Sequence, residues 1–157
     1  MKVKVKLFEG GVMPEKMHID DAAFDCYARL DEDVEIEVGT RTKIPLGFAL
    51  ELPKGWEAVI RPRSGLTLKC IDNGIGTIDA NFRGEVCAVV INNNFHAPNV
   101  VNNEYKGLLQ QERFIVHNGD RICQMVIKKL DEVELVEAEE LTETERGEDG
   151  FGSSGIR

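Results

Sequence analysis

Long hydrophobic runs are missing from this chain. No apolar stretch approaches the roughly 20 residues that a membrane-spanning helix needs, so a helical membrane protein is excluded. The opening residues, MKVKVKLFEG, carry no hydrophobic signal core. The expectation is therefore a cytoplasmic protein, or one of the host cytoplasm if the source is a virus. Positive charge is also scarce: 19 Lys and Arg stand against 28 Asp and Glu, a formal net charge of −9. Binding of a nucleic-acid polymer leans on basic surface, so no such partner is expected. A small phosphate ligand is still allowed, because it needs only a few local donors and a metal ion.

Cysteine is sparse and unpaired in spacing. Cys26, Cys70, Cys87 and Cys123 form no C-x-x-C motif, and His18, His96 and His117 are scattered. A structural zinc site is not expected; the cysteines read as free buried thiols in a reducing compartment. Long helical periodicity is absent too. Only SGLTLKC, residues 64–70, suggests a short helix, with Ser64 as its N-cap. There is no internal repeat and no linker that divides the 157 residues, so one domain is expected.

What is present is strand. MKVKVKL alternates Met1, Val3, Val5 and Leu7 with three lysines, the pattern of a half-buried strand at a protected edge. DVEIEVG repeats it with Val34, Ile36 and Val38 inward. TKIPLGFALELP is strand broken at Pro45 and Gly47, and WEAVIRPR is strand stopped by Pro62. EVCAVVINN and DRICQMVIKKL are more continuously apolar and are expected to lie centrally. VELVEAEEL reads as a late strand or short extended run. Many short strands punctuated by Gly, Pro and Asn imply an all-β barrel or sandwich. Two segments read as loops: the Asn-rich stretch at 93–113, and the tail from about Glu143.

Five stretches carry candidate chemistry. In RPRSGLTLK, Arg63 offers a planar fork of donors, Ser64 a hydroxyl, and Gly65 an open backbone. A helix starting there would favour an anion at its free N–H groups; a plain capped turn explains the same residues. In IDNGIGTIDANFRGEV, Asn73-Gly74 signals a tight β-hairpin. Asp79 follows Thr77 and Ile78, and an aspartate on a strand among apolar neighbours needs a partner. It reads either as a base for a water molecule or as a cap of the next turn. Gln124 is a polar amide inside ICQMVI, aimed into a site or lying on a polar strand face. Asp25, between Phe24 and Cys26, reads equally as a hydrated-metal contact or a salt-bridge partner. In the tail, RGEDGFGSSGIR, four glycines surround Phe151, behind Arg146 and ahead of Ser153 and Ser154. Ordering such a segment costs roughly 1–2 kcal/mol per residue, so it orders only against a ligand that supplies contacts.

In sequence order AAFDCYA, RPRSGL, GTIDANFRGEV, NGDRICQ and RGEDGFGSSG resemble the five motifs of the trimeric dUTPase family, across residues 22–155. The resemblance implies a jelly-roll β subunit, residues 1–142, with a flexible arm at 143–157. It implies a homotrimer with active sites between subunits, and hydrolysis of dUTP to dUMP and pyrophosphate with Mg²⁺ on the triphosphate. Asp79 then activates the water that attacks the α-phosphorus, and Asp25 faces the metal through water. Arg63, Ser64, Gly65 and Gln124 lie along the phosphates. Asn73, Gly76, Thr77 and Ile78 receive uracil, and Phe82 packs against deoxyribose. Arg146 meets the γ-phosphate, Phe151 stacks over uracil, and Gly152, Ser153 and Ser154 face the phosphates.

The chain departs from the family pattern at Ala23, Cys26, Asn81 and Phe82, where Gly, an aliphatic residue, Asp and Tyr are usual. Its 93–113 loop also looks longer than the family norm. Two rivals remain. A dCTP deaminase would carry a catalytic glutamate where Val89 stands. A protein-binding regulator built on the same scaffold would use loop 93–113.

Overall fold

The computed structural model describes residues 1–94, 98–101, 104–108 and 113–148. Strands follow one another with a single helical turn among them: β1 (Lys4–Leu7), β2 (Phe24–Tyr27), β3 (Val34–Ile36), β4 (Arg41–Pro45), β5 (Phe48–Glu51), β6 (Trp56–Arg61), α1 (Ser64–Thr67), β7 (Ile71–Asn73), β8 (Gly76–Ile78), β9 (Cys87–Asn92), β10 (Pro98–Val101), β11 (Glu104–Leu108), β12 (Phe114–Val116) and β13 (Arg121–Lys129). Every ladder is antiparallel. A four-stranded sheet runs β2-β13-β6-β8 and a three-stranded one β4-β9-β7; β1-β5, β3-β12 and β10-β11 form two-stranded ribbons. This is the all-β jelly-roll architecture with one short helix that the sequence implies.

The apolar strands fall where their composition puts them. β13 and β9 each lie between two neighbours in their sheets. Phe48, Ile44, Leu46, Ile36, Ile60 and Ile122 are at most 2 % exposed and form the middle of the core. Each such side chain contributes about 1.5–3 kcal/mol relative to exposure. β1, with its lysines, is held only by β5, as an edge should be.

Four expectations need correction. Asn73-Gly74 does not turn a paired hairpin: β7 pairs with β9 and β8 with β6, so the two strands diverge into different sheets. Each finds a longer partner than the other could offer. Ser64 is not the N-cap of α1; it is its first residue, Arg63 holds the cap position, and no side chain caps the turn. The segment 93–113 contains a ribbon, β10 with β11, irregular between Pro98 and Val100. Val100, Val101 and Tyr105 were the β-forming signal that its asparagines obscured. Finally, residues 131–144 carry neither helix nor strand, and Val133, Leu135, Val136 and Leu141 stand out in solvent.

One polar clamp supports the sheet ends. Arg29 donates from Nε to Glu85 Oε1 at 2.9 Å and from Nη2 to Oε2 at 3.2 Å, and Gly47 N–H donates to the same Oε1 at 3.0 Å. Gly47 adopts φ +73, a conformation suited to glycine. The pair is about three-quarters buried, with side-chain exposures of 27 % and 23 %. Glu85→Gln removes the charge without changing the shape, and is expected to cost about 1–3 kcal/mol. The measurement is the urea midpoint at unchanged m-value; an unmoved midpoint would mean that solvent already screens the pair.

Candidate active site

Two groups of chemically capable residues lie along β6. At its C-terminal end the chain leaves the sheet at Pro62 and enters α1. In register, Gln124 of β13 lies opposite Arg61 on one side and Asp25 of β2 on the other. Gln124 Nε2 donates to Pro62 O at 2.8 Å, which fixes the amide against this turn. Arg63 Nε stands 3.3 Å from Asp25 Oδ1, and Arg63 Nη1 donates to Arg121 O at 2.7 Å. Arg121 Nη1 donates to Asp25 Oδ2 at 3.2 Å.

Asp25 is thus a salt-bridge partner of two guanidiniums, one of its two sequence readings. Arg121 is the participant that sequence reasoning passed over. Its signal was available: a basic residue at the mouth of an apolar strand, two positions before Cys123. Beyond Arg63, Ser64 and Gly65 are exposed, and a Cβ at Gly65 would meet no atom within 4 Å. The first N–H to bond back into the turn is that of Leu66, to Arg63 O at 2.9 Å. Ser64 and Gly65 therefore stand ahead of it, the geometry of an anion-facing turn.

The second group follows β8, which runs antiparallel along β6 with Gly76 opposite Ile60 and Ile78 opposite Ala58, so its fork lies near the C-terminal end of β6 and Asp79 toward the N-terminal end. β7 and β8 are the outer strands of their two sheets, and residues 74–75 join them. Outer strands leave alternate backbone N–H and C=O groups outside their ladders. Asn73 is buried at the fork, where its Nδ2 donates to Gly74 O at 3.1 Å. A cavity of about 360 Å³ opens beside β8, lined by Gly76, Thr77, Ile78, Asp79 and Phe82, with Lys43 from β4.

Asp79 corrects another expectation. It follows the last residue of β8 and is exposed, so it avoids the desolvation cost that a mid-strand aspartate would bear. Its backbone carbonyl closes the next turn by accepting from Phe82 N at 3.1 Å. Among the described residues no hydrogen bond or ion pair is recorded to its carboxylate. Cys87, on the cavity wall, has its thiol pKa raised chiefly by burial, against the pull of Lys43. Behind Asp25 and Gln124, Cys26 and Cys123 face each other in register, fully buried. The hydrogen bond to Cys123, and then burial, push the Cys26 thiol far above its ordinary range. Neither thiol environment favours a thiolate nucleophile or ligand.

Asp79 and Gln124 stand in different rows of the sheet. Gln124 and Asp25 share the row of Arg61, whereas Asp79 follows Ile78, whose partner is Ala58. Four strand residues separate the rows, about 13 Å at the usual rise. Arg146 is described, in an exposed turn where Gly147 N donates to Thr144 O at 3.1 Å. Phe151, Gly152, Ser153 and Ser154 lie outside the described residues. A slightly larger cavity, about 400 Å³, is walled by Val3, Val5, Met13, Phe24 and Met125. It offers no carboxylate and is unsuited to phosphate chemistry.

The fit to a divalent cation is limited. Among the described residues no three His, Cys, Asp or Glu side chains converge. Both Asp25 oxygens face guanidiniums. Such a carboxylate suits an ion that brings its own oxygen ligands and meets the protein through water, not an ion caged by side chains.

An antiparallel jelly roll that carries a guanidinium-lined turn and a solvent-facing carboxylate beside a forked strand pair belongs to the all-β nucleotide hydrolases. Comparison with known proteins narrows the class. A family model described as dUTPase matches residues 10–155. A deoxyuridine 5′-triphosphate nucleotidohydrolase of Finegoldia magna is 35 % identical, over 99 % of this chain and 99 % of its own. One of Rickettsia prowazekii is 39 % identical, over 99 % and 98 %. Among solved structures, a point mutant of the dUTPase of Staphylococcus bacteriophage 80alpha with dUpNHpp matches at a TM-score of 0.77 and 29 % identity, covering 99 % of both chains. A mutant dUTPase from phage phi11 of S. aureus, described with a structural Mg(II) ion, matches at 0.73 and 27 %, covering 89 % of this chain and 98 % of its own. The chain belongs to the dUTPase family.

Proposed function

We propose that this protein hydrolyses dUTP to dUMP and pyrophosphate, at sites formed between the subunits of a homotrimer in the cytoplasm. Such an activity limits uracil in DNA and supplies dUMP for dTMP synthesis. The observation that carries the reading is the solvent-facing Asp79 carboxylate on the cavity that β8 and Phe82 also line. A carboxylate held there takes a proton from water and directs the oxygen at the α-phosphorus. Uracil enters the fork between β7 and β8, where main-chain groups and Asn73 meet its polar edge. A site with fixed donors and acceptors rejects cytosine, whose pattern would leave buried groups unpaired. The Phe82 ring packs on deoxyribose and leaves no room for a 2′-hydroxyl.

Arg63, the Ser64 hydroxyl, the Gly65 N–H and Gln124 hold the triphosphate, with Ser64 near the oxygen that leaves with pyrophosphate. Such preorganised donors contribute most where charge develops in the transition state. A Mg²⁺ ion bound with the nucleotide would offset the triphosphate charge. Asp25 is the residue suited to receive its waters, held in orientation by Arg63 and Arg121. The arm at 143–157 closes the site: Arg146 on the γ-phosphate, Phe151 over uracil, Gly152 to Ser154 against the phosphates. Assembly is supported by the distance of about 13 Å between the Asp79 row and the Gln124 row. One subunit cannot bring both to a single phosphate, whereas neighbours can. The exposed side chains of Val133, Leu135, Val136 and Leu141 and the apolar groove at β1 are surfaces that an assembly covers.

The test is pyrophosphate release from dUTP and from the four common deoxynucleoside triphosphates, with and without Mg²⁺. Release from dUTP alone, dependent on Mg²⁺, is expected. Intact dUTP would overturn the proposal. Conversion of dCTP to a uracil nucleotide would replace it with a deaminase, a reading that Val89 disfavours, since its side chain carries no acid or base.

A further inference from the structure

The turn that joins β8 to β9 is fastened more tightly than its few residues require. Phe82 N donates to Asp79 O. The Arg83 guanidinium folds back over the turn, and its Nη1 donates to Ala80 O at 2.7 Å and Phe82 O at 2.8 Å, with Leu50 O of β5 at 3.5 Å. One cationic nitrogen thus gathers carbonyls from the turn and from the neighbouring strand.

Gly84 adds a second constraint. A Cβ built on it would stand 2.6 Å from Phe82 Cζ, 3.0 Å from Cε2 and 3.4 Å from Cε1. Carbon atoms rest at about 3.5–4.0 Å, so the tip of the ring occupies the space that any side chain at 84 would fill. The backbone at Gly84 is not left-handed, so no torsion demands glycine there. The ring in its present position fills the space beside it.

We infer that Gly84 and Arg83 are positioning residues for the Phe82 ring: Gly84 is its seat and Arg83 fastens the turn that carries it. Together they set how strictly the site rejects a ribonucleotide. The inference rests on the reading that Phe82 packs against the sugar. Asp79 and Phe82 belong to one hydrogen-bonded turn, so sugar selection and water activation share a single rigid piece.

The experiment compares kcat and KM for dUTP and UTP in the wild type, F82A, G84A, the double variant F82A/G84A, and R83Q. G84A is expected to lower the dUTP-over-UTP preference in kcat/KM by about tenfold, and R83Q to lower it in the same direction by less. In the F82A background, G84A should change the preference no further, because the ring it displaces is already gone. A merely structural role would reduce both substrates by one factor and add fully to F82A; that result overturns the inference. An unchanged preference in folded G84A overturns it as well. If G84A does not fold, R83Q decides, and an unchanged preference there has the same consequence. The underlying reading fails separately: F82A with unaltered preference would mean that the ring does not touch the sugar. A loss in F82A without one in G84A would reject the seat alone.

Discussion

Asp79→Asn is expected to lower kcat for dUTP by about 10²–10⁴-fold, the usual share of a positioned general base. The substitution preserves shape and removes only the capacity to take a proton. Asp79 is exposed, and its contribution to the turn is a backbone carbonyl, which asparagine keeps. Fold and assembly should therefore be untouched, with the melting midpoint unchanged and dUTP still bound. The checks are single-turnover hydrolysis, equilibrium binding of a non-hydrolysable dUTP analogue, and thermal unfolding. Retained turnover would mean that another group activates the water. Loss of binding together with turnover would mean that Asp79 holds substrate and does not act on it.

Truncation after Thr142 should leave a folded protein of the same oligomeric state and lower kcat/KM by about 10²–10³-fold, comparable to removal of a transition-state donor. The described residues that are lost, Glu143 to Glu148, are all exposed and contribute nothing to the core. The lost chemistry is Arg146, Phe151 and the two serines. Closure over a bound nucleotide excludes water and aligns the reactants, so the deficit should appear in both kcat and KM. Full activity in the truncated protein would remove the arm from the mechanism. A lowered melting midpoint would assign it to the fold instead.

The fold was legible wherever hydrophobic period decided the matter. The Lys2, Lys4 and Lys6 alternation marked an edge strand, and the more continuously apolar runs of β9 and β13 marked strands flanked on both sides. What stayed hidden depended on distant partners. Asn73-Gly74 carries a strong local hairpin signal, yet β9 and β6 compete successfully for its two arms. Nothing local at Asp25 announces Arg121, 96 positions away along the chain. The Glu85 clamp on Arg29 and Gly47 is equally nonlocal. The candidate residues stood out individually, by residue type, while the separation of Gln124 and Asp79 along β6 did not, since spacing in sequence does not encode register.

The fork between β7 and β8 has an evolutionary consequence. Apart from the Asn73 amide, the polar atoms on its facing edges belong to the main chain, so few single codon changes exchange a donor for an acceptor there. Only an inserted or deleted residue, or a proline that deletes an N–H, can rewrite that edge. On the proposed reading, base preference should resist genetic drift better than sugar preference, which depends on the Phe82 ring and the residues that seat it.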